Sequence, residues 1–317
     1  MTGTGVRPGA GAGAGTPSGA AAGTPAGAAA GTPSGAAAGT WPSATTALVG
    51  VMGDPIAHSL SPLLHNTAFR ALGIDWVSVG FEVGAGGGAA AVAGIVALGL
   101  RGMSVTMPLK EEVAAAVDEL TPVAARLGAV NCVVVRDGRT VGDSTDGDGL
   151  VAACAAGSGF DPSGRSCVVL GAGGAARAVV DALARAGAAE VVVVGRTRAR
   201  AEVAAAVAGP VGRVGSEPDI AGAELVVHAT PVGMGADAGA VPVDPGLFGP
   251  GQLVVDLVYH PLQTALLRAA AERGARTATG VGMLVHQAAL AIERWTGHVA
   301  PVTAMQAAAD GATEGGP

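Results

Sequence analysis

The chain has eighteen basic residues, and only one of them, Lys110, is a lysine; Tyr259 is likewise its single tyrosine. An amine able to exchange a proton and a phenol able to donate a hydrogen bond are each present once, whether by necessity or by chance. A second set of chemistry-bearing residues follows the apolar run SCVVL: Gly171, Ala172, Gly173, Gly174, Ala175 and Ala176, leading into a helical stretch. A strand, a glycine turn and a helix start together turn backbone N–H groups and the positive end of a helix dipole toward a pyrophosphate. The alternative is a plain tight turn. A dinucleotide site for NAD places an acid about 20 residues beyond the first glycine to hold the ribose 2′-hydroxyl. Here VVVVGRTRAR occupies that stretch, with Arg196, Thr197, Arg198 and Arg200 and no acid. Guanidinium groups suit bidentate capture of phosphate, so this pattern points to the 2′-phosphate of NADP.

The elements that must position these residues alternate short apolar runs with helical stretches. Strands are expected at 47–53, 76–83 and 102–106, with helices at 62–72 and 86–99 between them. A second cycle starts at Ser166, with strands at 167–170, 191–194, 225–229 and 253–258, helices reaching Ala186 and Ala208, and one helix around 146–163 carrying the chain across. Such alternation predicts two α/β units with largely parallel sheets. Two closing helices, about 282–295 and 301–309, have no strand after them and are expected to pack back on the first unit. Residues 1–45 repeat GTPSGAAA-like octamers without an apolar face, which predicts a disordered tail with no catalytic role.

Composition narrows the class. Half of the 317 residues are apolar and the net charge is −7, which argues against a nucleic-acid partner. No apolar run is long enough to span a bilayer. Cys132, Cys154 and Cys167 lack metal-ligand spacing, and no metal site is expected; buried thiols in a reducing cytoplasm are.

Nine segments, in order, carry a resemblance to a known family: GDPIAHSLSPLLHN (53–66), SVTMPLKEE (104–112), GAVN (128–131), GDSTDGDG (142–149), GAGGAARA (171–178), GRT (195–197), HATPVGM (228–234), DLVY (256–259) and GVGMLVHQAA (280–289). Over 47 to about 295 the chain resembles the shikimate dehydrogenases. The resemblance implies a discontinuous N-terminal substrate domain (46–146 and 282–310) with an inserted Rossmann-type NADP-binding domain (147–281). It implies reversible NADPH-dependent reduction of 3-dehydroshikimate to shikimate, on the way to chorismate and aromatic amino acids. Lys110 and Asp146 match the family's catalytic pair. Ser59 and Ser61 match its carboxylate contacts, and Thr106, Asn131, Tyr259 and Gln287 the remaining substrate contacts. Gly171 to Ala175, Arg196, Thr197, Arg200, Thr230 and Gly280 match the cofactor positions.

Structural roles compete with some of these. Ser61 before Pro62 reads as a helix N-cap, and Asp146 reads as another. Ser104, Ser144 and Gly195 stand where the family usually has Asn, and His58 and His228 are assigned no chemistry. Rival expectations are a quinate or quinate/shikimate dehydrogenase preferring NAD, a dehydrogenase of a shikimate analogue, and a non-catalytic ligand sensor. A homodimer is left open.

Overall fold

The computed structural model describes residues 42–314, and the expected tail lies almost wholly outside them. Two six-stranded sheets organise the chain. The first contains β1 (Ala47–Gly53), β2 (Trp76–Glu82), β3 (Gly102–Val105), β4 (Glu119–Leu120), β5 (Cys132–Arg136) and β6 (Arg139–Asp143), in the spatial order β2-β1-β3-β5-β6-β4. Its helices are α1 (Ser61–Leu72), α2 (Gly88–Ala97), α3 (Lys110–Ala116) and α4 (Pro122–Leu127). Helix α5 (Asp146–Ser158) leads to the second sheet, of β7 (Ser166–Leu170), β8 (Glu190–Val194), β9 (Gly212–Val214), β10 (Leu225–His228), β11 (Leu253–Asp256) and β12 (Arg276–Thr279). Its order is β12-β11-β10-β7-β8-β9, all parallel, with α6 (Gly174–Arg185), α7 (Arg198–Ala206) and α8 (Ala265–Glu272). Helices α9 (Gly280–Thr296) and α10 (Val302–Glu314) close the chain.

The second sheet is the Rossmann-type unit expected. The first is largely parallel as expected, with one exception: β1–β2, β1–β3 and β4–β6 pair parallel, while β5 runs antiparallel to both β3 and β6. The signal for that hairpin stood in the sequence as Asp137-Gly138, both now at positive φ (51° and 76°), the pairing that two-residue hairpin turns demand.

The winding reverses between β1 and β3 in the first sheet and between β7 and β10 in the second. Ligands of open α/β sheets bind outside the carboxyl ends of the strands flanking such a reversal. The segments emerging there are 54–60 after β1, 106–110 after β3, 171–174 after β7 and 229–231 after β10. These hold Ser59, Thr106, Lys110, Gly171 to Gly174 and Thr230 of the residues singled out above.

The closing helices do return to the first sheet. Val281, Val285, Ala288, Ile292 and Trp295 of α9 share a core with Val49, Leu64, Phe69 and Cys132, and α10 adds Met305 and Ala309. Trp295 Nε1 donates to the Val133 carbonyl at 2.9 Å, which fixes the depth of α9 on the sheet. All three cysteines are buried and free, and burial pushes the Cys132 and Cys167 thiols up to about 12 and that of Cys154 to about 11. No described helix is long and apolar enough to cross a membrane.

His65 lies fully buried on α1, with Nδ1 2.9 Å from Ser78 Oγ and Nε2 without a partner. Burial lowers its pKa from 6.5 to about 3. The unfolded chain therefore takes up a proton as pH falls below 6.5, while the folded chain does not until near 3. Stability is whole above 6.5, and about 2 kcal/mol is lost between pH 6.5 and 5. Urea titrations should show this loss in the wild type and a flatter profile in His65→Leu; equal slopes would remove His65 as the cause.

Candidate active site

Lys110 opens α3 directly after Leu109, whose buried side chain anchors the helix start in the core beneath the first sheet. Asp146 opens α5, with Thr145 as the N-cap residue. The Asp146 carboxylate therefore does not cap its helix. It forms an ion pair with the Lys110 ammonium through Oδ2, their side chains being 18% and 8% exposed respectively. Asn131 Nδ2 donates to the other carboxylate oxygen at 2.7 Å, to Thr145 Oγ1 at 2.9 Å and to Gln287 Oε1 at 3.3 Å. In return Asn131 Oδ1 accepts from the Thr145 N–H at 2.7 Å. Four residues that the sequence could only list separately, Lys110, Asn131, Asp146 and Gln287, are thus one network. In it Asn131 holds Asp146, and Asp146 holds the ammonium; the lysine keeps further N–H donors for another oxygen.

Two glycines bring the helices that carry this network into contact. A Cβ on Gly147 would fall 2.1 Å from the Ala178 carbonyl oxygen of α6, and one on Gly149 would fall 2.7 Å from the Gln287 backbone nitrogen of α9. Asp146 and Gln287 are positioned by backbone packing that no larger residue permits.

Ser59 and Ser61 lie on the segment after β1. Helix α1 begins one residue earlier than the serine-cap pattern suggests: Leu60 is the N-cap, no side chain caps it, and the Ser61 N–H points to Ser59 Oγ at 3.3 Å. The Ser61 hydroxyl is therefore not spent on the cap. Thr106 leaves β3 packed against Gly53, at the reversal point of the first sheet. Tyr259 is half-buried after β11, and burial raises its pKa above the ordinary phenol value. Its segment meets that of Ser59 through their neighbours, His58 and His260, whose rings stack 6.2 Å apart and within 6° of parallel.

On the other side of the network lies the glycine turn. Gly171 adopts a φ of 125°, and a side chain there would strike the Ala229 carbonyl oxygen at 2.8 Å. Gly173 is the N-cap of α6 and has no side chain to block its amide face. Gly174 lies so near Lys110 that a Cβ would sit 3.4 Å from the lysine Cδ. Ala175 completes the first turn. Across from Gly171, the Thr230 methyl is in contact range, while its hydroxyl is engaged by His228 Nε2 at 2.5 Å. Gly280 opens α9 hard against the Leu257 carbonyl. Arg196, Thr197 and Arg200 are exposed at the start of α7, and Arg198 pairs with Glu202 of its own helix. Ala172, Gly173 and Arg200 line a cavity of about 330 Å³ together with Glu111, Arg177, Ala199 and Val203. A turn whose amides lack side-chain cover, a neighbouring cavity and two guanidinium groups form a cradle that fits a phosphorylated dinucleotide.

Comparison with known proteins matches the same regions. Residues 51–133 match a family model described as the shikimate dehydrogenase substrate binding domain, 155–216 one described as shikimate / quinate 5-dehydrogenase, and 280–309 the shikimate 5′-dehydrogenase C-terminal domain. The shikimate dehydrogenase (NADP(+)) of Moorella thermoacetica is 46% identical over 86% of this chain and 97% of its own. The chain belongs to the shikimate dehydrogenase family. Among solved structures, the Thermus thermophilus shikimate 5-dehydrogenase in complex with NADP(H) and shikimate is 39% identical, with a TM-score of 0.79 over 84% of this chain and 100% of that one. A quinate dehydrogenase from Corynebacterium glutamicum in complex with NAD is 30% identical, with a TM-score of 0.75 over 83% and 98%.

Some residues around the site carry roles that the sequence did not assign. The three residues Lys110-Glu111-Glu112 face three ways: Lys110 toward Asp146, Glu111 toward Arg177 of α6, and Glu112 toward the Gly86 and Gly88 amides at the start of α2. Those amide bonds hold the Glu112 carboxyl below its ordinary pKa. His228 and Asp256, both fully buried, pair at 2.9 Å, and Asp256 also accepts from Thr264 Oγ1 at 2.6 Å and from the Val258 N–H at 3.0 Å. This chain joins the ends of β10 and β11 and fixes the turn that carries Thr230. The VVH and VVD strand ends were the available signal, since polar residues closing buried apolar strands need partners.

Proposed function

We propose that the chain is an NADP-dependent shikimate dehydrogenase that reversibly reduces 3-dehydroshikimate to shikimate. The observation that carries this reading is the meeting of a lysine–carboxylate pair with a dinucleotide turn, Lys110 against Gly174. Gly171 to Ala175 would hold NADP, with Arg196, Thr197 and Arg200 at the ribose phosphate and Thr230 and Gly280 bordering the site, and the bound cofactor would supply or accept the hydride. Lys110 exchanges the proton with the substrate oxygen. Asp146, itself gripped by Asn131, keeps the ammonium in place, since proton transfer requires a donor within hydrogen-bond reach. Ser59 and Ser61 take the substrate carboxylate, and Thr106, Asn131, Tyr259 and Gln287 surround the hydroxyls. In this reading 46–146 with 282–310 form the substrate domain and 147–281 the cofactor domain of an enzyme acting in the cytoplasm.

Initial rates with shikimate or quinate, crossed against NADP or NAD, test the reading. Turnover with shikimate and NADP supports it. Comparable rates with quinate and NAD would favour the quinate dehydrogenase reading, which the family model for 155–216 and the Corynebacterium structure keep in view. Tyr259→Phe is expected to raise the KM for shikimate about fivefold with little change in kcat, as for loss of one hydrogen bond of about 1 kcal/mol to a neutral hydroxyl. An unchanged KM would remove Tyr259 from the substrate contacts.

A further inference from the structure

Among the described residues, three buried side-chain atoms lack a partner: His65 Nε2, Ser104 Oγ and Arg177 Nε. Of these, Arg177 borders the cavity at the glycine turn. We propose that Arg177 is a phosphate ligand of the dinucleotide site, held in waiting by Glu111, whose carboxylate the cofactor phosphate displaces. The proposal rests on the dinucleotide reading above and adds to it a residue and a competition.

Arg177 is the fourth residue of α6, at the positive end of a twelve-residue helix. Its side chain is 13% exposed, against 82% for Arg198, so its guanidinium is largely withdrawn from water. A guanidinium offers five N–H donors in a planar fork. Here one nitrogen, Nη2, reaches Glu111 Oε1, and Nε has no acceptor. A desolvated cation with one carboxylate partner and an unsatisfied N–H gains from an anion that can fill the fork. The phosphate of a dinucleotide is such an anion, and bidentate arginine–phosphate pairs are among the stronger polar contacts.

The surroundings favour the exchange. Arg200, the open amide face at Gly173 and the α6 dipole line the same cavity, and Glu111 is its one acidic residue. The Glu111 side chain is 62% exposed, so its release into water costs little desolvation. Glu111 stands beside Lys110 on α3, so the same exchange frees the catalytic helix from α6 at the moment of cofactor binding.

The experiment is titration of the full chain with NADPH and with NADH, without substrate, by nucleotide fluorescence or calorimetry, alongside thermal melts. If the wild type binds neither nucleotide, the dinucleotide reading itself fails. Given wild-type binding, Arg177→Gln is expected to raise Kd about tenfold or more, with Arg177→Lys intermediate because it keeps the charge but loses the fork. Glu111→Gln is expected to tighten binding several-fold, and to give no tightening in the Arg177→Gln background. Equal losses for both nucleotides would place Arg177 on the shared pyrophosphate; a larger loss for NADPH would place it on the 2′-phosphate. The proposal is overturned if Arg177→Gln keeps wild-type affinity, or if Glu111→Gln weakens binding, since the pair would then be only a tie between α3 and α6. Glu111 is on the surface, so its variant reads out even if Arg177→Gln folds poorly.

Discussion

Replacing Lys110 with Ala should lower kcat for shikimate oxidation by about three orders of magnitude, within the range for loss of a positioned acid or base. The fold should survive. The Lys110 stem lies beside the glycine turn at Gly174, where removing it leaves the turn in place, and Asp146 keeps its bond to Asn131 when the ammonium is gone. The melting temperature is therefore expected to move by only a few degrees, while nucleotide binding persists. Asp146→Asn should show a smaller loss, because the lysine remains but its anchor is weakened. Its deficit should lie in kcat rather than KM, as befits a residue that positions the proton-transferring group. If Lys110→Ala retained more than a tenth of wild-type turnover, another group would have to carry the proton.

The second large effect concerns stability. Gly149→Ala would place a methyl 2.7 Å from the backbone nitrogen and 2.9 Å from the Cα of Gln287, atoms that cannot rotate away. Helices α5 and α9 must then separate, at a cost of about 3 kcal/mol, the upper part of the range for overpacking. Activity should fall along with stability, since the same contact sets Gln287 against Asn131. Gly147→Ala, aimed at the Ala178 carbonyl from 2.1 Å, should be at least as severe. Gly157 is the internal control: it lies on the same helix with open space around it, so Gly157→Ala should be neutral or stabilising by about 0.5–1 kcal/mol. Guanidinium unfolding of the three variants separates the cases. A Gly149→Ala protein as stable as Gly157→Ala would mean that the helix contact is not needed.

Both outcomes bear on how much was readable beforehand. The glycine turn was legible because its signal is local: an apolar strand, three glycines and a helix follow one another directly over residues 166–185. The arginines after β8 stood out as candidate phosphate ligands for the same reason, through the missing acid. Lys110 and Asp146 stood out individually, yet they are 36 positions apart and nothing between them announces that they touch. The antiparallel hairpin is also written locally, in the Asp137-Gly138 turn between β5 and β6.

What the sequence determined by itself, then, was the alternation of strands and helices, the dinucleotide turn and the set of side chains able to do chemistry. These follow from periodicity and turn stereochemistry, which act over a few neighbouring residues. Only the tertiary structure decided that Asn131 reaches Asp146 and Gln287, that Glu111 pairs with Arg177, that His228 and Asp256 brace the turn at Thr230, and that Gly147 and Gly149 are small for the sake of α6 and α9. Such partners lie up to 156 residues apart along the chain. Their meeting depends on how deeply helices seat on sheets, a packing property with no local trace in the sequence.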